Sequence, residues 1–143
     1  HASSSAASDV YKRQPLPNEN ILGITSEDSG VIIHSSLCKE LDKETKKEDW
    51  ITASWKDVDP KQYFSSRIKV SVKNEPGSLG KLATIVGSAG GNITNLNISE
   101  KGDDYFDMIF IIDVHNLDHL DKIIETLSEV DIVSSVSRLL INL

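Results

Sequence analysis

The chain has 143 residues, 38% of them hydrophobic, a formal net charge of −7 and one cysteine, Cys38. This is the composition of a soluble globular protein with room for one ordinary domain or two small ones, and no apolar run approaches the ~18 residues of a membrane-spanning helix. One cysteine excludes an internal disulfide framework and suits a reducing, cytoplasmic setting, while the acidity of both halves argues against bulk electrostatic binding of DNA and leaves room only for a local RNA contact.

The first fourteen residues, HASSSAASDVYKRQ, lack apolar periodicity and the marks of a signal or transit peptide. They read as a leader foreign to the fold, in a chain that begins inside a longer protein. From Pro15 to about Phe64 come ILGIT, a Ser-Gly turn, GVIIH, a short helix-like SSLCKEL, the mixed-charge run DKETKKED and the strand-like WITASW. Together they predict a small β-rich module with one helix, residues 15–64, whose charged run is a solvated loop or helix end. DVDPKQYFSS reads as a linker into a second module, residues 65–143.

RIKVSVK alternates with Ile68, Val70 and Val72 inward, which predicts a half-buried strand. Leu79, Leu82, Ala83, Val86 and Ala89 then form a helical stripe, opening behind Ser78 as N-cap candidate and closing on Gly90-Gly91. NITNLNIS reads as a strand whose apolar phase slips between Ile93 and the pair Leu96 and Ile98, so a bulge or late start is expected. KGDD supplies a hairpin turn. YFDMIFIIDV is a strand with Phe106, Met108, Phe110, Ile112 and Val114 on one face. Ile109 and Ile111 on the other face hint at a partner. Asn116 caps a second helix with the stripe Leu117, Leu120, Ile124 and Leu127, and VDIVSSVSRLL closes as a β-rich tail. The order βαββαβ predicts an α+β, ferredoxin-like antiparallel sheet with both helices on one face.

Catalytic and metal-binding patterns are weak. His34 and Cys38 stand four apart, as do His115 and His119, but neither pair has the further ligands a zinc site needs. A partly buried cysteine with a turn histidine, and solvated residues around a helix start, are the favoured readings; no metal and no cofactor is expected. No nucleophile–base pair or nucleotide-binding glycine motif is present. The stretch NEPGS from Asn74 to Ser78 differs. It joins an inner strand to a helix start, where unpaired backbone N–H groups and the positive end of the helix dipole suit a carboxylate. Pro76-Gly77 fits a tight type II turn. Spacing alone favours a plain connecting loop over a ligand site.

The residues RIKVSVKNEPGSLGKLATIVGSAGGNITNLNIS resemble the opening of an ACT domain, with Asn74, Gly77, Leu79, Gly91, Asn92 and Ile93 at its motif positions. The upstream half resembles the segment that precedes the ACT domain in long RelA/SpoT-type (p)ppGpp synthetase/hydrolases. There Pro15, Pro17, Ile21, Gly23, Gly30, His34 and Cys38 match, and WITASW resembles the Trp-bearing strand that follows. Lys12 and Arg13 stand where that family has paired cysteines, and Asn18-Glu19 where it has Gly-Asp.

The resemblance implies a regulatory region without catalytic domains, so this chain is not expected to make or degrade (p)ppGpp. It implies sensing of an amino acid, branched-chain in some members, contacts with ribosome and tRNA in the parent protein, and homodimerisation through the ACT domain. The ligand's carboxylate would meet the N–H groups from Gly77 through Ser78 to Leu79, and its side chain would lie on Leu79 and Ile93. Its amino group would meet Asn74 or Asn92. The alternatives are an allosteric ACT module of an amino-acid biosynthetic enzyme and a ligand-free interaction domain.

Overall fold

The computed structural model describes residues 15–26, 30–35 and 50–140. The chain divides into two compact units, the second running Tyr63–Leu139.

In the first unit, β1 (Ile21–Ser26), β2 (Gly30–Ser35) and β3 (Trp50–Thr52) form an antiparallel sheet in the order β2-β1-β3. β1 and β2 pair from Ile21↔Ser35 to Ser26↔Gly30, and β3 lies on the other side of β1, with Leu22 opposite Thr52. Only WIT of the predicted WITASW strand is extended and paired. Ala53 and Trp55 instead pack on the buried pair Ile21 and Ile33. The predicted helix beyond Ser35, the run Asp42–Asp49 and Cys38 fall outside the described residues.

Ahead of β1, buried Leu16 donates its N–H to the Glu19 carboxylate, and Glu19 returns its own N–H to the Leu16 carbonyl. This tight turn holds Asn18 at φ 75°. Asn18 stands where the resembling family has glycine, and asparagine is among the few other residues that accept left-handed backbone at little cost.

The second unit follows the predicted order. β4 (Phe64–Lys73), α1 (Ser78–Ser88), β5 (Asn92–Lys101), β6 (Tyr105–Val114), α2 (Leu117–Ser128) and β7 (Val133–Leu139) build a sheet in the order β5-β6-β4-β7, antiparallel throughout. Period-two alternation sorts the faces as expected. Ile68, Val70 and Val72 of β4 are fully buried, as are Phe110, Ile112 and Val114 of β6, with Met108 nearly so. Leu82 and Val86 of α1 and Leu120, Ile123 and Leu127 of α2 complete this core. Ile109 and Ile111, on the opposite face, are half-buried.

Several local expectations are corrected. Phe64 to Ser66, read as the end of a linker, are the first rungs of β4, Phe64 opposite Val114. In α1 the inward residues are Ser78, Leu82 and Val86; Leu79, 41% exposed, and Ala83 face outward. Leu82 and Val86 keep their expected inward places, and Ser78, one turn ahead of Leu82, takes the first inward position instead of Leu79. In α2, Ile123 rather than Ile124 is fully buried. The expected slip in β5 is present as a register shift between Ile93 and Asn95, with a second between Ile98 and Glu100.

Candidate functional site

The turn between β4 and α1 is built by its sequence. The Ser78 N–H donates to the Glu75 carbonyl at 3.2 Å across Pro76-Gly77, and Gly77 sits at φ 84°, ψ −2°. That is the type II turn expected of Pro-Gly, with a positive φ at the third residue. Gly77 is the N-cap, and its carbonyl accepts the Lys81 N–H at 3.0 Å. Ser78 is therefore not the cap. Its hydroxyl points back and donates to the Lys73 and Glu75 carbonyls, at 2.7 and 2.9 Å, pinning the turn to the end of β4.

What remains open are the N–H groups of Gly77, Leu79 and Gly80, which have no hydrogen-bond partner among the described residues. They lie at the positive end of an eleven-residue helix with no acidic side chain in its first turn. An anion placed there gains charge-assisted hydrogen bonds and the dipole term without competition from the chain itself.

Asn74 stands beside this turn. Its side-chain NH2 donates to the Gly102 and Asp103 carbonyls at 3.2 and 3.3 Å, and its backbone N–H to the Asp104 carbonyl at 2.7 Å. The side-chain donors are thus committed to the β5–β6 hairpin, and the amide oxygen is the atom left for an incoming amino group.

Asn92 and Ile93 lie elsewhere. Ile93 pairs with Ile112, whereas Lys73, at the turn, pairs with Tyr105. Tyr105 and Ile112 are seven residues apart along β6, about 23 Å at the rise of an extended strand. Of the six predicted site residues, Asn74, Gly77, Ser78 and Leu79 come together at one end of the sheet, and Asn92 and Ile93 sit at the other. One copy does not assemble the whole set.

The second end has its own architecture. α1 stops in a Schellman motif, with the Gly91 N–H donating to the Val86 carbonyl and the Gly90 N–H to the Gly87 carbonyl, both at 3.0 Å, around Gly90 at φ 83°. The His119 ring lies against this turn. Its Nε2 is 2.7 Å from the Ala89 carbonyl, and its Nδ1 accepts the His115 N–H at 3.0 Å. Asn116 caps α2 as expected, accepting the His119 N–H at 2.8 Å. The sequence reads His119 as a solvated helix residue, whereas it is half-buried and bonded at both ring nitrogens. Asn-x-x-His at a helix start, a variant of the reciprocal capping box, is the signal that would have found it. No group of three or more metal-ligating side chains exists among the described residues, and no helix among them is long and apolar enough to cross a membrane.

Residues 60–138 match the ACT domain family, more than half of the chain. The chain belongs to the ACT domain family. Residues 6–56 match the RelA/SpoT RIS domain, so the order is RIS then ACT, the regulatory region of RelA/SpoT-type proteins. The GTP pyrophosphokinase rsh of Brucella suis is 36% identical over 126 residues, covering 86% of this chain and 17% of the relative. The bifunctional (p)ppGpp synthase/hydrolase SpoT of Escherichia coli is 26% identical, with 87% and 18% covered. The RIS–ACT chain thus spans less than a fifth of the length of these relatives, and neither matched domain is a catalytic one. The crystal structure of the ACT domain from the GTP pyrophosphokinase of Chlorobium tepidum aligns over 55% of this chain and all of that one, with 24% identity and a TM-score of 0.48.

Proposed function

We propose that the RIS–ACT chain is the sensing part of a cytoplasmic (p)ppGpp synthetase/hydrolase, and that its ACT unit binds a free amino acid between two copies. The observation that carries this reading is the type II turn, which leaves three backbone N–H groups unpaired at the start of α1 in a member of the ACT family. The ligand's carboxylate meets Gly77, Leu79 and Gly80, and the amide oxygen of Asn74 takes its ammonium group. An apolar, branched side chain suits exposed Leu79. A few charge-assisted hydrogen bonds of about 1.5–3 kcal/mol each, set against the cost of immobilising a small ligand, correspond to micromolar to millimolar affinity.

The distance of Asn92 and Ile93 from this turn supports a homodimer. β5 is an edge strand of ten residues with most of its side chains exposed, so its outer backbone groups are open to pairing. An antiparallel β5–β5 contact about a twofold axis lays the Asn92 end of one copy beside the Lys101 end of the other. The Lys101 end is also the end of the sheet that carries the β4–α1 turn, so each turn gains Asn92 and Ile93 from the second copy. The parent's contacts with ribosome and tRNA would then read out this ACT state.

Docking without a ligand is the second reading, favoured by Ile98 and Tyr105, 51% and 47% exposed. Isothermal titration of the chain with valine, isoleucine and leucine separates the two. Saturable heat supports sensing; a flat trace at millimolar ligand leaves only docking.

A further inference from the structure

The four-stranded sheet of the ACT unit ends in two edges of opposite chemistry. On one side lies β5, whose residues 92–99 carry neither charge nor proline. Its inward row, opposite Ile112, Phe110 and Met108 of β6, is Ile93, Leu96 and Ile98, all apolar, and Ile98 is half exposed. The inward charge of β5 comes only at its last residue, Lys101, whose ammonium is drawn back over the Phe106 ring, 5.8 Å from the centroid. On the other side lies β7, which pairs with β4 along one flank and, among the described residues, with nothing along the other. Val133 and Val136 of β7 lie opposite Val72 and Val70, and Arg138 lies opposite Ile68, all three β4 residues being fully buried. Arg138 therefore points to the side of the sheet on which α2 packs, and it is half-buried with its Nε out of contact with solvent.

A charge in that inward row suits an edge and not a sheet interior. At an edge, an arginine can lay its apolar stem on the core and keep its guanidinium within reach of water. Two helices cover four strands, so each helix spans two strand spacings, about 10 Å, which is also the distance at which helices pack. A second sheet laid on β7 would thus bring its own helix down beside α2 and close over Arg138. About a twofold axis the facing inward row brings Val133, Val136 and a second Arg138, and no carboxylate. Desolvating guanidinium groups without an opposite charge is strongly unfavourable, and an inward-pointing charge is one of the devices by which edge strands avoid pairing.

We propose that Arg138 guards the β7 edge against a second copy of this chain, so that the ACT unit joins through β5 alone and the assembly closes at two. Closure at two rests on the proposed β5 homodimer; the guard on β7 does not. With both edges open, twofold contacts at β5 and β7 would alternate and the sheet would grow without end.

The test exchanges the two edges in the full chain and reads mass by sedimentation equilibrium. Arg138→Val removes the guard and should raise the weight-average mass about twofold or more at ~100 µM, increasing with concentration, while β7 amides gain protection from exchange. Arg138→Lys keeps an inward charge and should leave the mass unchanged. Ile98→Arg places the same device on β5, at a position already half exposed, and should reduce the dimer to a monomer. Combined with Arg138→Val it should restore a dimer, now protected at β7 and open at β5. Should Arg138→Val not fold, Arg138→Gln keeps much of the stem without the charge and should give the same rise. Unchanged mass in a folded, charge-free variant, a rise without protection of β7 amides, or an equal rise in Arg138→Lys would overturn the guard. A monomeric unaltered chain whose Arg138→Val variant pairs through β7 would uphold the guard and refute only the β5 homodimer.

Discussion

Replacing Gly77 with alanine isolates the backbone cost of the β4–α1 turn. A Cβ at Gly77 would meet no heavy atom within 4 Å, and the same is true at Gly80 and Gly87 of the following helix. The three substitutions therefore differ in backbone conformation and not in packing. At Gly77 the φ of 84° is left-handed, which costs an alanine about 1–2 kcal/mol, partly offset by about 0.4–1 kcal/mol of lost freedom in the unfolded chain. At Gly80 and Gly87 alanine removes the mid-helix penalty of glycine and stabilises by about 0.5–1 kcal/mol. Gly77→Ala and Gly80→Ala should thus lie about 1.5–2 kcal/mol apart with opposite signs, a separation of roughly 10 °C in the Tm of a domain this small. Differential scanning calorimetry of the three variants beside the unaltered chain measures it. Gly77→Ala melting at or above Gly80→Ala would refute the type II turn and the helix start built on it.

Asn74→Asp replaces two donors with an acceptor aimed at two carbonyls and should lower stability by about 1–3 kcal/mol, read as a shifted urea midpoint; an unshifted midpoint would deny the clamp between turn and hairpin. Ser66 is fully buried in β4 and its hydroxyl has no partner among the described residues, so Ser66→Ala should be neutral or stabilising by up to about 1–2 kcal/mol in the same assay. A Cβ at Gly91 would come within 3.0 Å of Ile123 and Val86 side-chain carbons, so Gly91→Ala should destabilise by about 1–3 kcal/mol through overpacking, as a lowered Tm.

Much of the ACT fold was legible because its signals are local. Strict alternation in 67–73 and 105–114 marks two central strands and their inward faces, and Gly90-Gly91 marks a helix end whose left-handed residue favours glycine. Even the β5 bulge could be read, since a shifted apolar phase is what an extra residue does to a strand. The edges of these elements were harder to see. Serine favours helix caps in general, but at Ser78 the preceding glycine already supplies the cap, and the hydroxyl is drawn to the two carbonyls beneath it. The inward row Ser78, Leu82, Val86 runs at i, i+4, i+8 and leaves Leu79 outside it, exposed. The role of His119 is only half legible in sequence: Asn-x-x-His marks its place at the start of α2, whereas Ala89, thirty residues away, becomes its neighbour only through the fold. The separation of Asn92 from Gly77 was hidden for the same reason: the motif is short in sequence, but a helix and the length of the sheet lie between its ends.

The central claim is a ligand site shared between two copies of the ACT unit, and complementation tests it most directly. Gly77→Val should distort the turn and Asn92→Ala should remove the lent side chain, so each variant alone should lose valine binding while remaining dimeric. Mixed in equal amounts and allowed to exchange, half of the dimers should be heterodimers with one intact and one doubly damaged site. The mixture should then recover about one quarter of the unaltered binding capacity by titration calorimetry. No recovery from variants shown by sedimentation to exchange, or full binding by a monomer, would contradict the account.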